Sequence, residues 1–423
     1  MPILSNRTFR ITIGFAASLL VCLASHHLYT QLKIKPTDQQ NLTSQNLSSI
    51  YSNFLVPQSF NKQDKQNTPS TKQLTSTPKS YQVIDELQKD KFNVSGDRVF
   101  TRGKLPTVKV DFNQAELLAT LTNTRKYFED YAAEDPNIQR PGLLETQGIT
   151  VQDALNTLDF MISVLQEDIS NKRVTRLQDP NFINTHFRVM KWSAYNPGNP
   201  SQKQLRLTKY AVFTHPGSRK KTPTFNTAIY SLKDHSITDN FYTKYTKQDV
   251  LRGIYEPGGK EFGKVEPLAY LTREGLEEAL MEGTILIKFS DGSQALFNVD
   301  RNNGIPYIRG AAARAQKRYW YFREVDAIKG YGYKIDAKIS ISPGVTFAGD
   351  ILNIGLGKVV ALEYLQGGRK HLKLGIIADT GGAFLPNLHQ LDFLAGIFQG
   401  RTDFDRNIRR LPEYATAYIL VKK

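Results

Sequence analysis

The chain is 423 residues long, enough to bury one large core or two ordinary ones. Its 29 glycines, 19 prolines, 11% aromatic and 22% charged residues are globular values. Fifty-five Lys+Arg against 40 Asp+Glu leave a net charge of +15, which attracts polyanions without choosing among nucleic acid, anionic lipid and acidic polymer.

Arg7 and Arg10 precede a thirteen-residue apolar stretch, Ile11 to Leu23, followed by Ala24-Ser25. A positive start, an apolar core of this length and small residues after it predict a secretory signal. The stretch is short for a membrane span, although an uncleaved anchor stays open. Residues 1–34 are therefore expected to be a signal peptide or anchor, and the protein to be exported to the cell envelope. Cys22 is the only cysteine, so a processed chain has no thiol for a disulfide, a nucleophile or a thiolate metal site. Residues 35–80, rich in Gln, Asn, Ser, Thr and Pro, bury too little apolar surface to order themselves and predict a disordered tether.

Two helices follow. Asn113 with Glu116 has capping-box spacing before Leu117, Leu118, Leu121 and Phe128. Thr150 with Asp153 opens another, with Leu155, Leu158, Ile162, Leu165 and Ile169 at helical spacing, a stripe read as core. From about Leu205 the pattern changes to strands: Leu205–Phe213, Thr284–Phe289, Ala295–Val299, Tyr319–Val325, Val359–Leu365, Leu372–Ala378 and Ala415–Val421. Asp291-Gly292 and Asn303-Gly304 mark tight turns, and one helix interrupts the strands around Thr272 to Met281. Helices first and strands afterwards predict a mainly β (α+β) protein.

Several motifs carry no chemistry. Gly258 to Lys264 has the outer spacing of a phosphate loop, but Val265 stands where a magnesium-binding Ser or Thr belongs. Asn353-Ile354-Gly355-Leu356-Gly357 reads as a turn. None of the seven histidines is paired at helical metal-ligand spacing, so neither a metal nor a cofactor is expected. The basic clusters Arg219-Lys220-Lys221, Arg369-Lys370-His371 and Arg409-Arg410 lack the groove-reading helix or aromatic sheet of a nucleic-acid binder.

The stretch Leu374 to Phe393, LGIIADTGGAFLPNLHQLDF, is different. An apolar run delivers Asp379 into Thr380-Gly381-Gly382, and Asp392 follows thirteen residues later. An aspartic protease needs two such turns sharing a proton about 3 Å apart, and this chain holds one Asp-Thr-Gly triplet. The other chemistry open to two aspartates is glycosidic cleavage, in which one carboxyl must be protonated and so needs a pKa raised by burial or a neighbouring like charge.

This stretch resembles the "3D" segment of the membrane-bound lytic transglycosylase A (MltA) family, in which an Asp-x-Gly-Gly-Ala turn is followed by a Phe-Asp or similar pair. The resemblance runs in order from about Leu205 to Lys423. Leu207 to Phe213 with Gly217-Ser218-Arg219 is similar to the family's Thr-Gly-Tyr-Tyr-Glu-Pro strand, and Glu282-Gly283-Thr284-Ile285 to its Gln-Gly-Ser-Gly. Asn303-Gly304-Ile305-Pro306-Tyr307 resembles its Asn-Gly-x-Pro-Tyr, and Tyr321-Phe322-Arg323 its Phe-Phe strand. Here the Gly-Tyr-Tyr-Glu-Pro positions read Lys209-Tyr210-Ala211-Val212-Phe213, and the first of three family aspartates, near Ser340 to Pro343, is a serine.

The resemblance implies a double-psi β-barrel from residues 319–423, packed with a helical N-terminal part (81–207), a second β domain inserted at 208–318, and a groove between them. It implies a monomeric lytic transglycosylase that cleaves peptidoglycan glycan strands with Asp392 as acid and base and Asp379 orienting it. Thr208, Tyr210, Gly283, Asn303, Tyr307, Gly381 and Gly382 are then expected to contact sugar, each with a structural role in strand or turn as the alternative. A binding module of the same fold, with catalysis lost, is the competing class.

Overall fold

The computed structural model describes residues 80–233, 239–308, 310–334, 336–384 and 386–423. The signal or anchor and the tether lie outside the described residues, except Ser80, which opens the strand Ser80–Ile84.

The two early helices form where the capping residues place them. Asn113 Oδ1 accepts from the N–H groups of Ala115 and Glu116 at 3.0 and 3.1 Å, opening helix Gln114–Tyr131. Helix Val151–Ser170 starts with a reciprocal box, Asp153 N–H donating to Thr150 Oγ1 and Thr150 N–H to Asp153 Oδ2. Its apolar stripe sits rotated from the expected one. Leu158 and Leu165 are fully buried with Met161, whereas Leu155 and Ile162 lie half-buried and Ile169 is 42% exposed. Ile169 is in the last turn, where the helix outruns the sheet it covers.

The described residues form sixteen strands, numbered in chain order. Those that build the site are β6 (Leu205–Gly217), β12 (Thr346–Ala348), β13 (Val359–Gln366), β14 (Arg369–Asp379), β15 (Gln390–Phe398) and β16 (Tyr414–Lys422). Hydrogen-bonded pairing runs β6–β15–β12–β14–β13–β16, and Tyr414 and Ala415 of β16 then pair back onto Arg206 and Leu205 of β6. The path closes on itself. Val359 to Leu362 of β13, Leu374 to Ala378 of β14 and Ala417 to Val421 of β16 are unbroken buried runs because both faces are covered there. β14 crosses so closely over the chain before β12 that a Cβ at Gly375 would meet Val345 O at 2.5 Å.

β6 is longer than the sequence predicts, and the extra length matters. Its second half pairs in parallel with β9 (Thr284–Phe289), Phe213 against Ile285 and Gly217 against Phe289. β9 continues through β10 (Gln294–Asn302) to β11 (Trp320–Val325). Two apolar cores result. One joins the closed strand path to the early helices, through Leu117, Leu158, Val189, Ile376 and Leu420. The other holds Ile229, Phe241, Leu276, Ile287, Phe297 and Tyr321. Strand β6 runs from the first to the second.

Candidate active site

Register sets the site. Ala348 on β12 is the partner of Asp379 on β14 and of Asp392 on β15, and Asp392 is the partner of Thr208 on β6. Thr208, Asp392, Ala348 and Asp379 thus form one row across four strands. Tyr210, two residues on from Thr208, leans along the same face, and its hydroxyl donates to Asp379 Oδ2 at 2.7 Å.

The turn after Asp379 is pinned at both ends. Thr380 Oγ1 donates to Gly349 O at 2.9 Å, and Gly349 N–H donates to Asp379 O at 3.1 Å. At the far end Asn387 N–H donates to Asp350 Oδ2 at 2.8 Å, and Asp350 also accepts from Asn353 N–H and Nδ2. Between these anchors Gly381 and Gly382 are exposed, with no atom within 4 Å of a Cβ built on either. Neither glycine has a positive φ, so the fold does not demand glycine there; its effect is bare backbone just after Asp379.

The two carboxyl groups differ in their partners. Asp379 accepts from Tyr210 and, at Oδ1, from its neighbour Thr380 N–H at 2.8 Å. Asp392 accepts one longer bond, 3.2 Å, from Gln390 Nε2, which also donates to Thr208 Oγ1 at 3.0 Å. Burial pushes Asp379 up to about 6, against the donors Tyr210 and Thr380 and the charge of Lys338. Burial likewise pushes Asp392 up to about 6, and the charge of Asp379 adds to the rise while Gln390 and Arg206 oppose it. Two donors favour an ionised Asp379, and that charge favours a protonated Asp392. No hydrogen bond joins the two groups, which excludes a protease-type pair sharing one proton.

Gln390, Lys338, Arg206 and Asp350 belong to this site and were not singled out from the sequence. Gln390 alone had a signal, standing two residues before Asp392 on what proves to be one strand face. Lys338 Nζ donates to Asn298 Oδ1 at 2.5 Å and to Val299 O at 2.7 Å, both on β10. Asn298 in turn donates to Gly283 O at 2.9 Å, so Gly283 is bonded through Asn298 to Lys338, whose charge acts on Asp379. Glu282 is occupied elsewhere, in a buried contact of 3.2 Å with His215.

Asn303 and Tyr307 lie apart from this row. Asn303 is buried and its amide is spent on backbone, donating to Tyr245 O and Lys317 O and accepting from Tyr319 N–H. Tyr307 is half-buried beside Arg318.

Neither a protein-family model nor a curated protein matches the chain in sequence. Solved structures do match. The chain is similar to the membrane-bound lytic murein transglycosylase from Agrobacterium tumefaciens at 15% identity, covering 77% of this chain and 98% of that one with a TM-score of 0.51. It is also similar to E. coli MltA with bound chitohexaose (15% identity, 77% and 94% covered, TM-score 0.49) and to MltA from Neisseria gonorrhoeae (14%, 76% and 98%, 0.48). At such identity the likeness is one of fold, and it spans nearly the whole of the first of these structures. The chain has the mainly β fold of a membrane-bound lytic murein transglycosylase.

Proposed function

We propose that the protein is an exported peptidoglycan lytic transglycosylase that cleaves the MurNAc–GlcNAc β-1,4 bond and closes a 1,6-anhydro ring. The observation that carries this reading is the unequal pair, Asp379 held by two donors and Asp392 by one, in a row with Thr208 and beside the bare Gly381-Gly382 turn. In this reading the closed strand path is the double-psi β-barrel that the resemblance implies, and the glycan lies in a groove between it and the β9–β10–β11 lobe. The chain acts as a monomer on glycan strands at the cell envelope, the Ile11–Leu23 stretch directing it there.

Asp392, protonated, donates to the leaving glycosidic oxygen. As carboxylate it then takes the proton from the muramyl C6 hydroxyl as that oxygen attacks the anomeric carbon. The C6–OH proton replaces the one given up, so the residue ends as it began. Asp379 stays ionised, keeps the pKa of Asp392 high and stabilises positive charge developing on the sugar ring. Tyr210 and Thr380 prevent Asp379 from becoming the acid. Gln390 fixes the rotamer of Asp392 and ties it to Thr208.

The test is release of soluble muropeptides from purified sacculi by the protein and by Asp392→Asn. Loss of about 10²–10⁴-fold in rate, with sacculus binding retained, is expected from removal of a general acid. Full activity in Asp392→Asn overturns the assignment. Binding without release by the unsubstituted protein would instead identify a binding module.

A further inference from the structure

Arg318 stands just before β11, and its guanidinium carbon lies 4.2 Å from the ring centroid of Trp320 and 5.4 Å from that of Tyr307. Three other arginines of this lobe face acids, Arg219 pairing with Glu324, Arg273 with Glu277 and Arg323 with Asp300 and Asp336, whereas Arg301 on β10, like Arg318, has no such pair among the described residues. Arg318 has no carboxylate within 4.0 Å among the described residues, and its one polar side-chain contact is Met281 Sδ at 3.8 Å, a weak acceptor. The three side chains are half-buried, which leaves both rings and the fork open on one side. Burial lowers the pKa of Arg318, the signature of a partly desolvated cation without a counter-ion.

The position is informative. Trp320 pairs with Asn302 on β10, while Asn298, four residues earlier on that strand, bonds to Lys338, whose charge acts on Asp379. Four residues of strand span roughly 13 Å. Met281, against Arg318, is two residues from Gly283, whose carbonyl accepts from the same Asn298. The bulge between Val299 and Arg301 sets Arg323, the partner of Asn298, and Trp320, the partner of Asn302, on opposite faces of β11. The Tyr307–Arg318–Trp320 cluster therefore connects toward the carboxylates through Met281, Gly283 and Asn298 and not along one strand face.

We propose that this cluster is a subsite for a carboxylate-bearing sugar of the glycan, the rings of Trp320 and Tyr307 receiving the sugar face and the free edge of Arg318 receiving the carboxylate. The inference rests on the glycan reading above and deepens it. An aromatic platform alone selects sugar without regard to charge; a guanidinium with unused N–H donors adds selection for an anion, through a two-pronged charge-assisted bond. Two carboxylates on such a strand share this chemistry, the lactyl ether of the muramyl unit and the acids of its peptide.

The experiment measures calorimetric affinity of the full chain carrying Asp392→Asn, so that nothing is cleaved, for three probes. These are a neutral GlcNAc tetrasaccharide, a peptide-free GlcNAc–MurNAc tetrasaccharide, and the same sugar with its peptides. Adding Arg318→Gln is expected to weaken the acidic probes about tenfold or more and leave the neutral one unchanged. Arg318→Lys, which keeps the charge but not the fork, is expected to fall between, and it serves as the variant should glutamine impair folding. Loss confined to the peptide-bearing probe assigns the carboxylate to the peptide, and loss on both acidic probes assigns it to the lactyl group. Equal weakening of all three probes, or no weakening, overturns the subsite while the glycan reading stands. Failure of the Asp392→Asn chain with Arg318 intact to bind any probe overturns both.

Discussion

Asp379 and Asp392 share one register partner, Ala348, and so stand on the two strands that flank it, about 10 Å apart in backbone. At that spacing the pair interacts through charge but cannot share a proton. Ala348 is buried between them, and its side chain is a single methyl group. Ala348→Leu is expected to fill the interval, lowering glycan cleavage more than tenfold while costing about 1–3 kcal/mol in a urea melt. Unchanged turnover would show that the interval is not used.

Cleavage should depend on pH through the pair. With Asp392 pushed up to about 6, the protonated acid is depleted as pH rises through that value, and kcat/KM should fall accordingly. Asp379 titrates in the same range, so the profile reports the pair rather than one residue. A rate that keeps rising from pH 6 to pH 8 contradicts a carboxylic acid as proton donor.

Tyr210→Phe removes the hydroxyl that donates to Asp379 at 2.7 Å. Without it Asp379 holds its proton to higher pH, and less of its charge acts on Asp392. The expected outcome is a kcat reduced about tenfold or more and an acid limb of the pH–rate profile displaced upward, with the fold intact. A Tyr210→Phe profile identical to that of the parent would separate Tyr210 from the carboxylates.

Stability should fall with rising pH through the same two groups. Asp379 and Asp392 each have a folded pKa raised from 3.8 to about 6. A raised value means that their contribution is fully present below the unfolded pKa and is lost as pH rises through about 6. At neutral pH, therefore, the ionised pair costs stability. Asp392→Asn should gain about 1–3 kcal/mol at pH 7 and nothing at pH 4, compared by urea melts at the two values. A loss at pH 7 would show that the charge is stabilised in the fold.

Asp350 is 1% exposed and holds both Asn353 and the Asn387 end of the glycine loop. Asp350→Ala leaves those N–H groups without an acceptor. It should cost about 2–3 kcal/mol, and cleavage should fall with it as the loop loses its anchor. Limited proteolysis near residues 381–387 is the direct readout.

Much of this arrangement was legible in the sequence where a pattern is local. The apolar runs that became β13, β14 and β16, the Thr150–Asp153 box and the helix capped by Thr272 all form from residues near one another. Strand β15 was not legible, because Gln390, Asp392 and Gly396 break the apolar pattern of a strand whose one face is the site. Strand β12 is three residues long and is defined only by its neighbours. The pairings that place Tyr210 against Asp379 and Gln390 against Thr208 join residues 169 and 182 positions apart, and no spacing rule reaches that far. Asn303 shows the converse. Its neighbours Gly304 and Tyr307 resemble a sugar-contact motif, yet its amide is consumed by the backbone of its own lobe.

The central claim is that Asp392 directs the sugar's own C6 hydroxyl, and not water, to the anomeric carbon. The measurement that tests it most directly is mass spectrometry of the muropeptides released from purified sacculi. An intramolecular attack has the advantage of high effective molarity, and the products should carry 1,6-anhydro-muramyl ends, each lighter by one water than a hydrolysed end. Reducing muramyl ends in their place would contradict the account and make the protein a hydrolase.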